Sequence, residues 1–528
     1  MTMFEAGLTT MVARSRSHSL GDLLRRSAHR VPAKLAVVFG SERQTYAQLD
    51  ETVNRTANAL ADRGVARGDR VVLFSHNHSD VVVVYFALAR LGAISVPVNF
   101  MLTSDEVGFV LAHAGATAVV AEDVLVPVVA AAIDGLPDPA VVTLRGVIDT
   151  GGPAAPGRWE PVDVWRAHTD AREPEVAVAD DDVVQLMYTS GTESRPKGVA
   201  LSSRSLIAQY VSCVIDGGME ASDVEVHALP LYHCAALHAF FTPGVYLGAT
   251  NIILPGADPT GILATVEAER ATKLFCPPTV WISLLRHPDL DRYDLSSLRK
   301  GYYGASIMPV EVLKEMGDRF PGTDLYNFYG QTELSPLATV LGPADQVRKA
   351  GSAGRAGINV ETMVVDDDDR PVKVGEVGEI VHRSPHATLG YWNDPEKTAE
   401  AFRHGWFHSG DLGVLDEEGY LTVVDRKKDM IKTGGENVAS REVEEVIYQH
   451  PAVSEVAVFA TSDPRWIEAV TAAVVVRAGR EVSEAELIEF CRQRLAGYKA
   501  PKRVVVVDAL PRNASGKVLK RELRQALS

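Results

Sequence analysis

Across residues 20–180 the apolar positions switch repeatedly between two periods. In residues 46–63, Leu49, Val53, Ala57 and Leu60 recur at helical spacing, and Gly64 follows as a stop. Residues 70–75 form a short apolar run of strand length, and residues 80–91 return to a helical pattern. Such alternation predicts an α/β architecture with mixed and parallel sheets flanked by helices. Residues 137–156 hold several prolines and glycines and predict a surface loop. A second pattern begins near Arg426, with helix expected over 442–448 and 484–495 and extended chain over 453–460 and 471–476. About a hundred residues with their own periodicity suffice for a small domain. The expected organisation is a mobile N-terminal extension over 1–19, a large domain over 20–426 and a small α+β domain over 427–528. The charged stretch 425–429 at the boundary predicts a hinge rather than a tether.

Composition changes this picture little. The chain has 528 residues, 46% hydrophobic and 23% charged, which fits a globular protein of more than one domain. No apolar run reaches the length of about 18 residues that a membrane-spanning helix needs. Charge matters more: 53 basic against 69 acidic residues give −16, which argues against a nucleic-acid partner. Any anionic ligand must therefore be met by local lysine and arginine clusters. Cys213, Cys234, Cys276 and Cys491 form no CxxC pair and predict reduced thiols and a cytoplasmic location. The N-terminal stretch carries Arg14 and Arg16 without a secretory apolar core. The four consecutive acids Asp366, Asp367, Asp368 and Asp369 read as a solvated turn. His76 and His78 are expected to point to one side of a strand end, without further ligands for a metal.

The candidate chemistry starts at Tyr188-Thr-Ser-Gly-Thr-Glu-Ser-Arg-Pro-Lys-Gly-Val199, after a strand expected over 183–187. Hydroxyls, glycines and a lysine in one loop after a strand can wrap phosphate oxygens. The loop is not a Walker A sequence, because Pro196 precedes Lys197 and Gly198 follows it. It resembles the phosphate loop of adenylate-forming enzymes, the superfamily of acyl-CoA synthetases, luciferases and peptide-synthetase adenylation domains. Four further segments resemble that family in order. They are Tyr329-Gly-Gln-Thr-Glu333, Trp406-Phe-His-Ser-Gly-Asp-Leu-Gly413, Asp425-Arg-Lys-Lys-Asp-Met-Ile-Lys-Thr-Gly-Gly-Glu-Asn437 and Pro511-Arg-Asn-Ala-Ser-Gly-Lys517. The match covers residues 20–524.

The resemblance implies an enzyme that activates a carboxylic acid with ATP as an acyl-adenylate, releasing pyrophosphate, then passes the acyl group to coenzyme A, releasing AMP. It implies that Thr189, Ser190, Gly191, Thr192 and Lys197 surround the β- and γ-phosphates. Thr332 would contact the α-phosphate, and Glu333 would hold Mg²⁺, a hard cation suited to carboxylate and phosphate oxygens. Asp411 would accept from the ribose hydroxyls with Arg426 beside it. Gly304 and Ala305 would line the adenine, Tyr329 would stack on it, and Gly330 would belong to the same cofactor-binding set. Lys517 would bridge the carboxylate and α-phosphate in the first step. Lys428 would be the pivot for rotation of the small domain, after which Gly434 and Gly435 border the pantetheine tunnel. His233 matches a position near the carboxylate pocket.

Some residues depart from the family pattern. Glu193-Ser194 stands where Thr-Gly is common, Ser440 where proline is common, and Ile467 where glycine is expected. The segment Leu231-Tyr-His-Cys-Ala235 has no acid to hold an α-amino group, which disfavours an amino-acid substrate. Apolar pocket segments point to a fatty or other hydrophobic acid, with an aryl acid as the alternative. Carrier-protein acylation, luciferase-like oxidation and a non-catalytic nucleotide-binding scaffold are the competing readings. A homodimer is left open.

Overall fold

The alternation of helix and strand closes into two large sheets that share a layer of buried helices. The structure, a computed structural model, describes residues 11–12, 15–155, 157–189, 196–304, 308–427, 429–433, 436–463, 466–512 and 518–527. Among these, an eight-stranded sheet has a parallel centre, with Arg70–Phe74 between Ile94–Pro97 and Ala118–Glu122. At one side it turns antiparallel, where Val183–Thr189 pairs with Lys197–Ser202 and the latter with Gly390–Tyr391. A nine-stranded sheet runs through Thr250–Ile253, Val224–His227, Lys273–Phe275, Lys300–Gly304 and Asp324–Gly330, all parallel neighbours.

The helices start and stop where local chemistry directs. Tyr46–Asp62 begins at Thr45, whose hydroxyl accepts from the Gln48 amide at 3.3 Å. Ser79–Leu91 ends at Gly92 with φ +64°, a left-handed cap that glycine adopts without strain. These helices, with Leu20–Arg30 and Ser203–Asp216, join strand residues of both large sheets in one apolar cluster.

The loop expected over 137–156 is corrected: it contains the strand Leu144–Ile148, parallel to Ala118–Glu122. Flanking prolines and glycines hid a buried run. Gly146 within it is required by packing, since a Cβ there would meet the Trp165 ring at 2.2 Å.

A four-stranded antiparallel sheet, Glu361–Val365, Gly378–Arg383, Phe407–Leu415 and Leu421–Arg426, leads to the C-terminal unit. There Val453–Asp463 and Ile467–Val476 form a long antiparallel ladder with Ile431–Thr433 beside it, covered by Ser440–Tyr448 and Glu484–Arg492. The fold is thus α/β with a large mixed-sheet part and a smaller, mainly antiparallel one. No helix of the described residues is long and apolar enough to cross a membrane.

Candidate active site

A cavity of about 710 Å³ opens where strand ends of the two large sheets meet the four-stranded sheet. Its polar half is built from three groups of residues. Thr189 closes the strand Val183–Thr189 and pairs with Lys197, which opens the next strand. Both residues line the cavity. Ser190, Gly191, Thr192, Glu193 and Ser194, at the tip between them, lie outside the described residues, as do Ala305, Lys428, Gly434, Gly435 and Lys517.

The second group follows Asp324–Gly330. Gly330 cannot carry a side chain, because a Cβ would lie 1.9 Å from the Pro336 carbonyl oxygen. Thr332 and Glu333 then face the cavity on a short 3₁₀ turn. The Tyr391 hydroxyl donates to Glu333 Oε1 at 2.9 Å, and Lys197 Nζ lies 4.8 Å from the centre of the Tyr391 ring. One tyrosine therefore touches both the lysine and the carboxylate. Burial and the neighbouring Glu333 carboxylate push the Tyr391 hydroxyl pKa up, so it stays a proton donor.

The third group centres on Asp411, buried on the strand Phe407–Leu415. Its Oδ2 accepts from the Tyr329 hydroxyl at 2.8 Å and from Gln331 Nε2 at 2.9 Å, while Oδ1 lies 3.3 Å from Arg426 Nε. Tyr329, expected as a stacking ring, thus also holds Asp411 through its hydroxyl. Burial and the Asp411 carboxylate raise its pKa far above the usual phenol range. Gly304 has a packing reason for its identity, since a Cβ there would meet the Phe328 carbonyl oxygen at 2.2 Å.

The apolar half is lined by Pro97, Val98, Met187, Ala239, Phe240 and Phe275. His233 lies between the halves, with Nδ1 accepting from the Ala235 amide at 3.2 Å. After it the chain winds as a π-helix, Ala235–Phe241, a rare geometry frequent at functional sites. Gln331, Tyr391 and the His408–Glu379–Arg403 group, which also line the cavity, were not singled out from sequence. Gln331 and His408 lie inside segments that resemble the family, whereas Tyr391 occupies a two-residue strand without any periodic signal.

Other expectations resolve as follows. His76 and His78 do not share a side: His76 bonds Glu122 at 2.7 Å and packs on Phe100, whereas His78 caps a helix and packs on Phe39. The cap turns the His78 imidazole forward to the Asp80 amide, which separates the pair. Asp366 does close a turn, but Asp369 leaves solvent to pair with Arg403 at 3.0 Å. The four cysteines are buried free thiols. Ser440 donates its backbone N–H to Asp425 Oδ2 at 2.6 Å, a bond proline lacks, and its hydroxyl accepts from Lys520 at 2.7 Å. Ile467, standing where glycine is expected, has φ +69°, the left-handed region that disfavours a β-branched residue.

Two family models match the chain: AMP-binding enzyme over residues 24–392, and AMP-binding enzyme C-terminal domain over residues 442–517. It is 38% identical to a feruloyl-CoA synthase of Amycolatopsis sp, covering 97% of this chain and 99% of that one. It is 36% identical to a long-chain-fatty-acid–CoA ligase of Mycobacterium tuberculosis, again over 97% and 99%. Among solved structures, an anthranilate CoA ligase in complex with anthranoyl-AMP superposes with a TM-score of 0.89 at 27% identity, over 96% of this chain and 97% of that one.

Proposed function

The chain belongs to the AMP-binding enzyme family, as an acyl-CoA synthetase that joins an acid to CoA through an acyl-adenylate, and we propose that its acid is hydrophobic and lacks an α-amino group. The observation that carries this reading is the division of one cavity. A polar half is ordered by Asp411 and Glu333, and the apolar half has no acidic side chain among the described residues.

The first step brings a carboxylate anion to the α-phosphate of ATP, so the site has to neutralise charge and align the partners. Asp411, fixed by two donors, is oriented to accept from ribose hydroxyls, with Arg426 alongside. Thr189 and Lys197 at the two ends of the phosphate loop, with Ser190, Gly191 and Thr192, hold the β- and γ-phosphates. Thr332 holds the α-phosphate. Among the described residues no three His, Cys, Asp or Glu side chains converge on one point. That suits Mg²⁺, which takes one or two carboxylates and completes its shell with phosphate oxygens and water. Glu333, facing the cavity beside Thr332, is the carboxylate for it, and the ion would offset phosphate charge.

Lys517 stabilises the charge that builds between carboxylate and α-phosphate. The units proposed are 20–426 and 427–528, with Lys428 as pivot and Gly434 and Gly435 beside the incoming thiol. Four reduced thiols suit a cytoplasmic enzyme. The relatives take both aryl and fatty acids by name, so both classes belong in the test.

The experiment is pyrophosphate release with a panel of carboxylic acids, with and without CoA. Acid-dependent release with CoA thioester formation is expected. ATP binding without turnover of any acid would sink the reading, and release without thioester would move it to another acceptor. Lys517→Ala should slow adenylate formation roughly 10²–10³-fold, while supplied acyl-AMP still reacts with CoA. Equal losses in both steps would refute its assignment to the first.

A further inference from the structure

The apolar half of the cavity ends on a stack of rings. Phe240 lies 4.0 Å from Phe275 at an interplanar angle of 15°, and 5.4 Å from Phe328 at 22°. All three line the cavity and are buried. The strands place them by alternation. Phe275 pairs in register with Tyr302, Tyr302 with Tyr326 and Gly304 with Phe328, so their side chains share one face under the π-helix that supplies Phe240.

Behind this wall sits a charge. Lys273, two residues before Phe275 on the same face, places its ammonium 5.4 Å from the centre of Phe240 and 5.3 Å from that of Tyr302. It pairs with Glu225 at 2.8 Å, and both side chains are only 1% exposed. Tyr302 is pinned in turn, donating to the Gly217 carbonyl at 2.6 Å. Deepening the cavity past these rings would separate a buried lysine from its aromatic faces or its carboxylate, which a low-dielectric interior resists strongly. The wall cannot retreat to admit a longer tail.

We propose that the acid is compact and aromatic, a ring joined to its carboxyl directly or by a short tether, and that Phe240, Phe275 and Phe328, braced by Lys273 and Glu225, set its length. The inference rests on the acid–CoA ligase reading. Two further observations agree with it. The same 710 Å³ has to hold the nucleotide as well as the acid, while sites for a single drug-sized ligand span about 300–1,000 Å³. The walls also offer ring faces, since Tyr232 lines the cavity edge-on to Phe100 at 5.6 Å. Flat ring surfaces favour a planar guest by offset or edge contact.

The test compares kcat/KM for pyrophosphate release on benzoate, phenylacetate, cinnamate, octanoate and palmitate. The wild-type enzyme should favour the aryl acids over palmitate by at least about a hundredfold, as a pocket discriminates by about tenfold or more per misfit methylene. Phe240→Ala and Phe328→Ala should shift the palmitate-to-cinnamate ratio upward by about tenfold or more. Lys273→Met, which removes the charge but keeps the volume, should raise the same ratio less. Melting curves establish that each variant is folded. If truncation unfolds the protein, the wild-type series alone decides. Palmitate used as well as cinnamate overturns the proposal, as do folded, active variants with an unchanged ratio. Absence of turnover on every acid would instead strike the ligase reading itself.

Discussion

The two halves of the cavity are made in opposite ways. The nucleotide half is assembled from short contiguous turns whose polar groups converge, as when Tyr329 and Gln331, two residues apart, both reach Asp411. The acyl half has no such turn. It is a surface of rings and aliphatic side chains drawn from separate chain segments, its rings held by sheet register and by a lysine behind them. Chemistry that every substrate shares sits on rigid local motifs, and the part that varies with substrate depends on packing.

Removing the acceptor of the polar half tests this division most severely. Asp411→Ala deletes two charge-assisted hydrogen bonds of about 1.5–3 kcal/mol each, taking the carboxylate from the Tyr329 hydroxyl and leaving Gln331 Nε2 only the Ser409 carbonyl. Catalytic efficiency for ATP should fall roughly 10²–10⁴-fold, while the rank order of acids stays the same. A reordered acid panel would show that the halves are not separate.

The brace of the acyl half should report in stability. Lys273→Ala strands Glu225 in the interior, and loss of one partner of a buried pair costs about 3–5 kcal/mol. Urea unfolding would measure it, and the folded fraction should bind ATP normally. Weakened ATP binding at equal folded fraction would contradict the comparison.

Acid should attack the helix behind the acyl half as well as the sheet near Asp411. Burial holds His238 and His382 at about 3 and His386 at about 4, each below the ordinary 6.5. The unfolded chain therefore binds more protons than the folded one below about pH 6.5. Stability is full above that pH and falls as pH drops through 6.5 toward 4 and 3, by about 1.4 kcal/mol per pH unit for each histidine. His238 bonds Tyr210 and Gln185, so His238→Gln should flatten the slope by up to one histidine's share. An unchanged slope would show that His238 is already charged.

The smallest expected effect lies at the seam of the phosphate groups. Tyr391→Phe keeps the ring under Lys197 but removes the donor to Glu333, one hydrogen bond to a charged group. Adenylate formation should slow about tenfold for roughly 1.5 kcal/mol, with thioester formation from supplied acyl-AMP unaffected. A parallel loss in both steps would mark a structural role.

The same contrast explains what sequence could reveal. Asp411, Arg426, Thr332 and Glu333 lie in contiguous segments that a sequence can single out, and the helices expected over 46–63 and 80–91 carry strong periods and caps and form Tyr46–Asp62 and Ser79–Leu91. Glu225, Lys273 and Tyr302 lie on three strands that only the parallel register brings to one face, and Phe240 meets them from the π-helix. The strand Leu144–Ile148 was missed because prolines and glycines outside it dominated a short run. Gly304 was read as making room for adenine, whereas the backbone of the adjacent strand already demands it.

The amide of Ser440 is a latch between two parts of the chain. Its bond to Asp425 crosses from the end of the four-stranded sheet to the first turn of the C-terminal unit, and any excursion that parts residues 425 and 440 must first release it. At about 1.5–3 kcal/mol, this bond favours the joined over the parted arrangement roughly 10–150-fold. Proline at position 440, without an N–H, would remove that preference and leave Asp425 Oδ2 without this donor.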